Sequence, residues 1–159
     1  MKKGILLILS SIIIFTFSSC LTSNTEIIEE YSENYISDVV GVWYRYVTTE
    51  SENSIREVLK KVELDGIQKT VDKDNRTVTI KVNPSTAKLN SIPKSAISDL
   101  NINNLGVVVA LPTAARIFPV GDAPKLGTNG DWSKPNKYVV VAANGDKAEW
   151  TIQITEFNK

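Results

Sequence analysis

Hydrophobic and polar positions follow three successive rhythms along this chain. Ile5 to Leu9 and Ile12 to Phe17 are nearly all apolar, with Lys2 and Lys3 before them and Ser18, Ser19 and Cys20 after. Leu21 to Asn34 is polar and acidic. From Val39 a period of two sets in, as expected of strands whose successive side chains face opposite sides.

The alternation divides the rest of the chain into short strands. Val40, Val42, Tyr44 and Tyr46 alternate with Gly41, Trp43, Arg45 and Val47, and both sets favour strand. Thr48 to Ser54 reads as a polar turn, Val58 to Leu64 as a second strand, Asp65-Gly66 as a turn, and Ile67 to Val71 as a short strand. Arg76 to Val82 places Val78, Ile80 and Val82 on one face. Pro84 and Pro93 bracket an irregular stretch, and Leu105 to Leu111 is a continuous apolar run whose length suits a strand covered on both faces. Ala115 to Val120 is a weaker strand, and Asp122 to Pro135 a long loop. Tyr138, Val140 and Ala142 lead into Asn144-Gly145, and Trp150, Ile152 and Ile154 follow it, which predicts a hairpin with a type I′ turn. Seven to nine short strands with little helix predict an all-β, antiparallel β-sandwich over residues 38–159. Its expected core is Val78, Ile80, Val82, Leu105, Val107, Val109, Tyr138, Val140, Trp150 and Ile152.

The opening segment carries a location. A membrane-spanning helix needs about 20 apolar residues, and Ser10, Ser11 and Ser18 interrupt this one. Residues 1–19 read as an export signal. Phe17-Ser18-Ser19-Cys20 resembles the bacterial lipobox, with Phe in place of the usual aliphatic residue. The resemblance implies acylation of Cys20, loss of residues 1–19, and a lipid-anchored protein of the cell envelope, expected at the outer membrane. Residues 20–37 would then be the acylated cysteine and a flexible tether. One acyl chain binds a membrane only marginally, whereas two or three anchor it.

Composition narrows the chemistry. Cys20 is the only cysteine, so the mature chain can form no internal disulfide and no Cys-based metal site. There is no histidine, which removes the commonest general base and the commonest neutral metal ligand. Without the leader, 16 basic residues face 18 acidic ones. That balance speaks against a nucleic-acid partner. No cofactor, no metal and no enzymatic activity are expected.

The residues also resemble a family. Val71 to Val82, with its acidic turn and alternating strand, is similar to the opening of small Ig-like modules of Bacteroidetes lipoproteins. Ser98-Asp99-Leu100 before the apolar run resembles their next segment. Asp131-Trp132-Ser133, Lys137 to Gly145 and Trp150 to Ile154 resemble their closing motif. The likeness spans about residues 62–155 and points to DUF5018-like and cadherin-like β-sandwich modules. It implies a fold, with carbohydrate handling or adhesion as the associated roles.

Candidate site residues follow from chemistry. Trp43, Tyr44, Tyr46 and Trp132 are the aromatics that could stack on a sugar, although alternation puts Trp43 on the face opposite Tyr44 and Tyr46, and the resemblance implies a core position for Trp132. Trp43 is expected to be the most exposed of them. Asp72, Asp74 and Asn75 have spacing that could ligate calcium but suit a polar turn better, and Asn75-Arg76-Thr77 matches a glycosylation sequon. Glu29, Glu30, Asp38, Glu50 and Glu52 lie near the aromatics in sequence without forming a recognisable catalytic pair. The expected partners are the membrane, through lipid on Cys20, and either a glycan or an envelope protein. The second of these would suit an adhesion or assembly subunit working through edge-strand contacts.

Overall fold

The computed structural model describes residues 31–51 and 55–159. Eight strands among them form two sheets. The smaller has the order β2-β1-β5, from β1 (Asp38–Thr49), β2 (Glu57–Glu63) and β5 (Gly106–Ala110). The larger has the order β3-β4-β8-β7-β6, from β3 (Ile67–Asp72), β4 (Thr77–Val82), β6 (Arg116–Pro119), β7 (Asn136–Val141) and β8 (Lys147–Phe157). Val42, Tyr44, Leu64 and Val107 of one sheet and Val78, Ile80, Val82, Tyr138, Val140, Trp150 and Ile152 of the other are all buried in one cluster, so the protein is a β-sandwich. Each such aliphatic or aromatic side chain contributes roughly 1.5–3 kcal/mol on burial, and in a sandwich without disulfides that burial has to hold the fold.

Nine of the ten expected core residues are buried; Val109 is half-buried. Its strand lies at the edge of the smaller sheet, which leaves Val108, Val109 and Ala110 less covered than an apolar run predicts. The strand-by-strand alternation also slips once. A bulge between Val39 and Gly41 buries Val39 and turns Val40 out to 54% exposure, so Val40 does not share the face of Val42.

Three further expectations are corrected. The sandwich is not wholly antiparallel: β4 and β8 run parallel, from Thr77 opposite Thr151 to Val82 opposite Phe157. The eleven residues of β8 pair with β7 over their first half and with β4 over their second. The β7–β8 turn is not type I′. Only Gly145 has positive φ (92°), Gly145 N–H donates to Ala142 C=O at 3.1 Å, and Ala142 N–H donates to Asp146 C=O at 2.8 Å. This is a three-residue connection with a glycine bulge. Asn144 stays out of the left-handed region, its Oδ1 accepting from Asp146 N–H at 2.9 Å. Finally, the segment expected as tether is packed from Asn34 on. Asn34 C=O accepts from the Trp150 indole at 3.0 Å, Ile36 is fully buried, and Ser37 N–H donates to Ala110 C=O. An apolar residue two positions before the first strand is more stable under the sheets than in water.

The stretch between Pro84 and Pro93 forms helix α1 (Thr86–Asn90), capped by the Ser85 hydroxyl accepting from Lys88 N–H. Helix α2 (Lys94–Ile97) follows, and a single 3-10 turn (Ile102–Asn104) leads into β5. Helix α2 lies beside β1, and with the residues up to Asn104 it shapes the space at the far end of that strand.

Candidate functional site

Strand β1 outruns its neighbour. Its ladder with β5 ends where Trp43 faces Gly106, yet β1 continues to Thr49, paired only with β2. Residues 44–49 and 57–62 therefore project as a two-stranded arm. The chain enters β1 at Asp38, and nine residues later, roughly 30 Å along at the rise of a strand, it reaches Val47.

A cleft of about 510 Å³ lies where β5 is missing, lined by Tyr44, Arg45, Tyr46, Val47, Leu59, Ser95, Ala96, Asp99, Asn104 and Asn129. Its floor is built by alternation. Tyr44 is buried with its hydroxyl donating to Ala96 C=O of α2 at 2.7 Å, and its ring stacks on Tyr46 at 5.5 Å and 25°. Burial pushes the Tyr44 phenol above its ordinary range, with the charges of Asp99 and then Tyr46 adding to the shift. One wall is a relay of amides. Asn129 Nδ2 donates to Asn104 Oδ1 at 2.8 Å, and Asn104 Nδ2 donates to Asp99 C=O at 3.2 Å. Asn129 also holds the backbone of Arg45, accepting from its N–H at 3.1 Å and donating to its C=O at 2.7 Å. Four separate segments meet here, and the Asn, Asp and Ser among them carry no periodicity that could have announced them.

The sequence-predicted aromatics do not converge. Tyr44 and Tyr46 reach the cleft, and Tyr46 is the half-buried one. Trp43 lies on the opposite face of the sheet, half-buried under Lys61, whose Nζ is 3.9 Å from the ring centroid. Among the described residues its Nε1 is buried without a hydrogen-bond partner. Of the four aromatics Trp43 and Tyr46 are half-buried and Tyr44 and Trp132 are buried, and the long Lys61 side chain crosses the Trp43 ring from the neighbouring strand. Trp132 is fully buried, its indole donating to Leu105 C=O at 2.8 Å and its ring stacked near Tyr138 at 6.3 Å.

The acidic candidates are spread. Asp72 accepts from the backbone and side-chain N–H groups of Asn75 at 2.9 and 2.7 Å, an arrangement that makes the β3–β4 turn and holds the Asp72 carboxyl below its usual range. Asp74, Asn75 and Arg76 sit in that turn, and Thr77, the last residue of the sequon, begins β4. Asp38 pairs with Lys69 at 2.7 Å, which lowers its carboxyl, and Glu50 lies 3.6 Å from Arg56. Cys20, Glu29, Glu30 and Glu52 lie outside the described residues. Among the described residues no three His, Cys, Asp or Glu side chains cluster to hold a metal, and no helix is long and apolar enough to cross a membrane.

Comparison with known proteins places this architecture. A family model described as DUF5018-related matches residues 36–153. The crystal structure of a Bacteroides fragilis protein assigned as secreted is similar to the chain at 28% identity and a TM-score of 0.64, covering 82% of this chain and 99% of that one. No curated protein matches.

Proposed function

The chain belongs to the DUF5018-related family, and we propose that it is a non-catalytic binding module of the cell envelope, anchored by lipid on Cys20, whose binding surface is the cleft at the projecting end of β1. The observation that carries this is placement. The chain joins the sandwich at Asn34 to Asp38, and the cleft opens six to nine residues further along the same strand. A tethered domain of this shape offers the cleft to the side away from its anchor. The similarity to a protein assigned as secreted supports export.

The lining supports binding over catalysis. Among the described residues Asp99 is the only carboxylate in the lining, whereas carboxylate-based hydrolysis uses two flanking the scissile bond. A glycan would find Tyr46 as its stacking surface, with Ser95, Asp99 and Arg45 to meet hydroxyls.

Two measurements test the reading. Intact mass of membrane-extracted protein should show acyl mass on Cys20 and no residues 1–19; a soluble, unmodified product removes the anchor. A photo-crosslinking residue at Ser95, irradiated in the native envelope, should form a discrete adduct that the same residue at Lys147 does not. Equal adducts at both positions, or none at Ser95, would remove the cleft as the binding surface.

A further inference from the structure

Alternation along β1 decides which backbone groups face the cleft. Leu64 N–H donates to Val42 C=O and Glu50 N–H to Arg56 C=O, so the even-numbered residues of β1 bond to β2. The odd-numbered residues face the other edge. On that edge β5 pairs as far as Trp43, and the Asn129 side chain then occupies the next place by bonding both groups of Arg45. Asn129 thus acts as a single strand residue continuing the β5 lane. Beyond it, Val47 and Thr49 present N–H and C=O to the open lane, and among the described residues nothing bonds them there. On the adjoining outer face one apolar pair, Val47 at 57% and Leu59 at 68% exposure, stands directly opposite across the strands, between Arg45 and Lys61 on one side and Thr49 and Glu57 on the other. Edge strands are usually blunted by charge, proline or a covering loop. The loop from Gly127 to Gly130 covers β5, where Gly127 N–H bonds Val107 C=O and Gly130 pairs with Leu105, and it stops short of Val47.

We propose that the β1 edge from Val47 to Thr49 is a strand-addition site, and that its occupant is an extended segment of another polypeptide with alternating β-branched and polar residues. The proposal rests on the reading of the cleft as the binding surface and names what fills it. The added strand would continue the β5 lane past Asn129, exchanging main-chain hydrogen bonds with Val47 and Thr49. Its residue opposite Val47 lies on the outer face and extends the row Leu59, Val47, so a Val or Ile fits there. Its residue opposite Tyr46 points into the cleft toward the Asp99 carboxylate, whose one side-chain hydrogen bond among the described residues is accepted from Ser98 Oγ at 3.5 Å, so a Lys or Arg fits there.

The test uses the mature chain and a capped peptide, Thr-Val-Lys-Val-Thr-Val-Thr, with amide hydrogen exchange as readout. Saturating peptide should slow exchange at Val47 and Thr49 at least tenfold. Exchange at Tyr46 and Thr48, already bonded to β2, should change little. Val47→Pro should abolish binding, whereas Val47→Ala, which keeps the N–H, should retain it and report that the fold is intact. Peptide Lys→Glu should bind at least fivefold more weakly. No protection at Val47 and Thr49 under saturation, or unchanged binding by a folded Val47→Pro chain, overturns the proposal. An adduct at Ser95 that proves to be a glycan overturns it too while leaving the cleft as the binding surface; failure of the Ser95 adduct removes both.

Discussion

The carboxamide of Asn129 and the backbone of Arg45 close a ring of two hydrogen bonds, 3.1 Å from Arg45 N–H to Oδ1 and 2.7 Å from Nδ2 to Arg45 C=O. A side chain 84 residues away in sequence does what a strand neighbour would do. It ends the β1–β5 ladder without leaving Arg45 unsatisfied, and it fixes the loop that covers the edge of β5.

Asn129→Ala should therefore destabilise the fold by about 1–3 kcal/mol, the cost of leaving part-buried backbone groups unpaired. Asn129→Asp should also destabilise, because a carboxylate can accept from Arg45 N–H but cannot donate to its C=O. Urea unfolding midpoints would measure both, and a midpoint unchanged in Asn129→Ala would show that water replaces the amide without loss.

Much of the sandwich was legible from residue order. Val78, Ile80 and Val82, Tyr138 and Val140, and Trp150 and Ile152 face the core as their alternation predicts, because a period of two reports directly which face is dry. What stayed hidden is non-local or set by side-chain bonds. The parallel pairing of β4 with β8 depends on a connection of more than sixty residues, and no local pattern encodes strand order. The turn at Asn144 depended on whether Asn would adopt positive φ or bond Asp146, and it bonds Asp146. Of the four aromatic candidates, two reach the cleft; the polar half of its lining comes from loops, where spacing carries no signal.

Two glycines with positive φ should respond very differently to alanine. At Gly145 a Cβ meets nothing within 4 Å, so Gly145→Ala carries only the backbone preference, about 1–2 kcal/mol. At Gly66 a Cβ would sit 1.9 Å from Asn83 C=O, across the hydrogen bond that Asn83 N–H donates to Gly66 C=O. No rotamer relieves an overlap with backbone, so Gly66→Ala should cost clearly more than Gly145→Ala and detach the open end of the β3–β4 pair. Thermal unfolding of the two variants side by side checks the order.

The three tryptophans differ in one respect that substitution can read. Trp132 and Trp150 donate to the carbonyls of Leu105 and Asn34, and Trp43 Nε1 is buried with no acceptor among the described residues. A buried donor without a partner is costly, and removing it recovers that cost. Trp43→Phe should be neutral or slightly stabilising, offset by lost ring area under Lys61. Trp132→Phe and Trp150→Phe should each destabilise by at least about 1 kcal/mol, since each strips a carbonyl of its donor and leaves a void. A destabilised Trp43→Phe chain would mean that the indole area outweighs its unmet N–H.

Alkaline unfolding should be governed by Tyr138. Its ring is fully buried, its hydroxyl donates to Pro124 C=O at 2.7 Å, and burial holds its phenol far above the ordinary value. An unfolded tyrosine ionises near pH 10. Above that pH the unfolded chain binds fewer protons than the folded one, so stability falls as pH rises, and below it Tyr138 contributes no slope. Tyr44, raised mainly by burial, acts in the same direction. Tyr138→Phe should be less stable than the parent at pH 8, because Pro124 loses its donor, by about 1 kcal/mol. It should also lose stability less steeply between about pH 10 and 12, so the gap between the two chains narrows as pH rises. Urea midpoints across that range measure the gap, and a constant gap would mean that the folded state does not hold the Tyr138 proton.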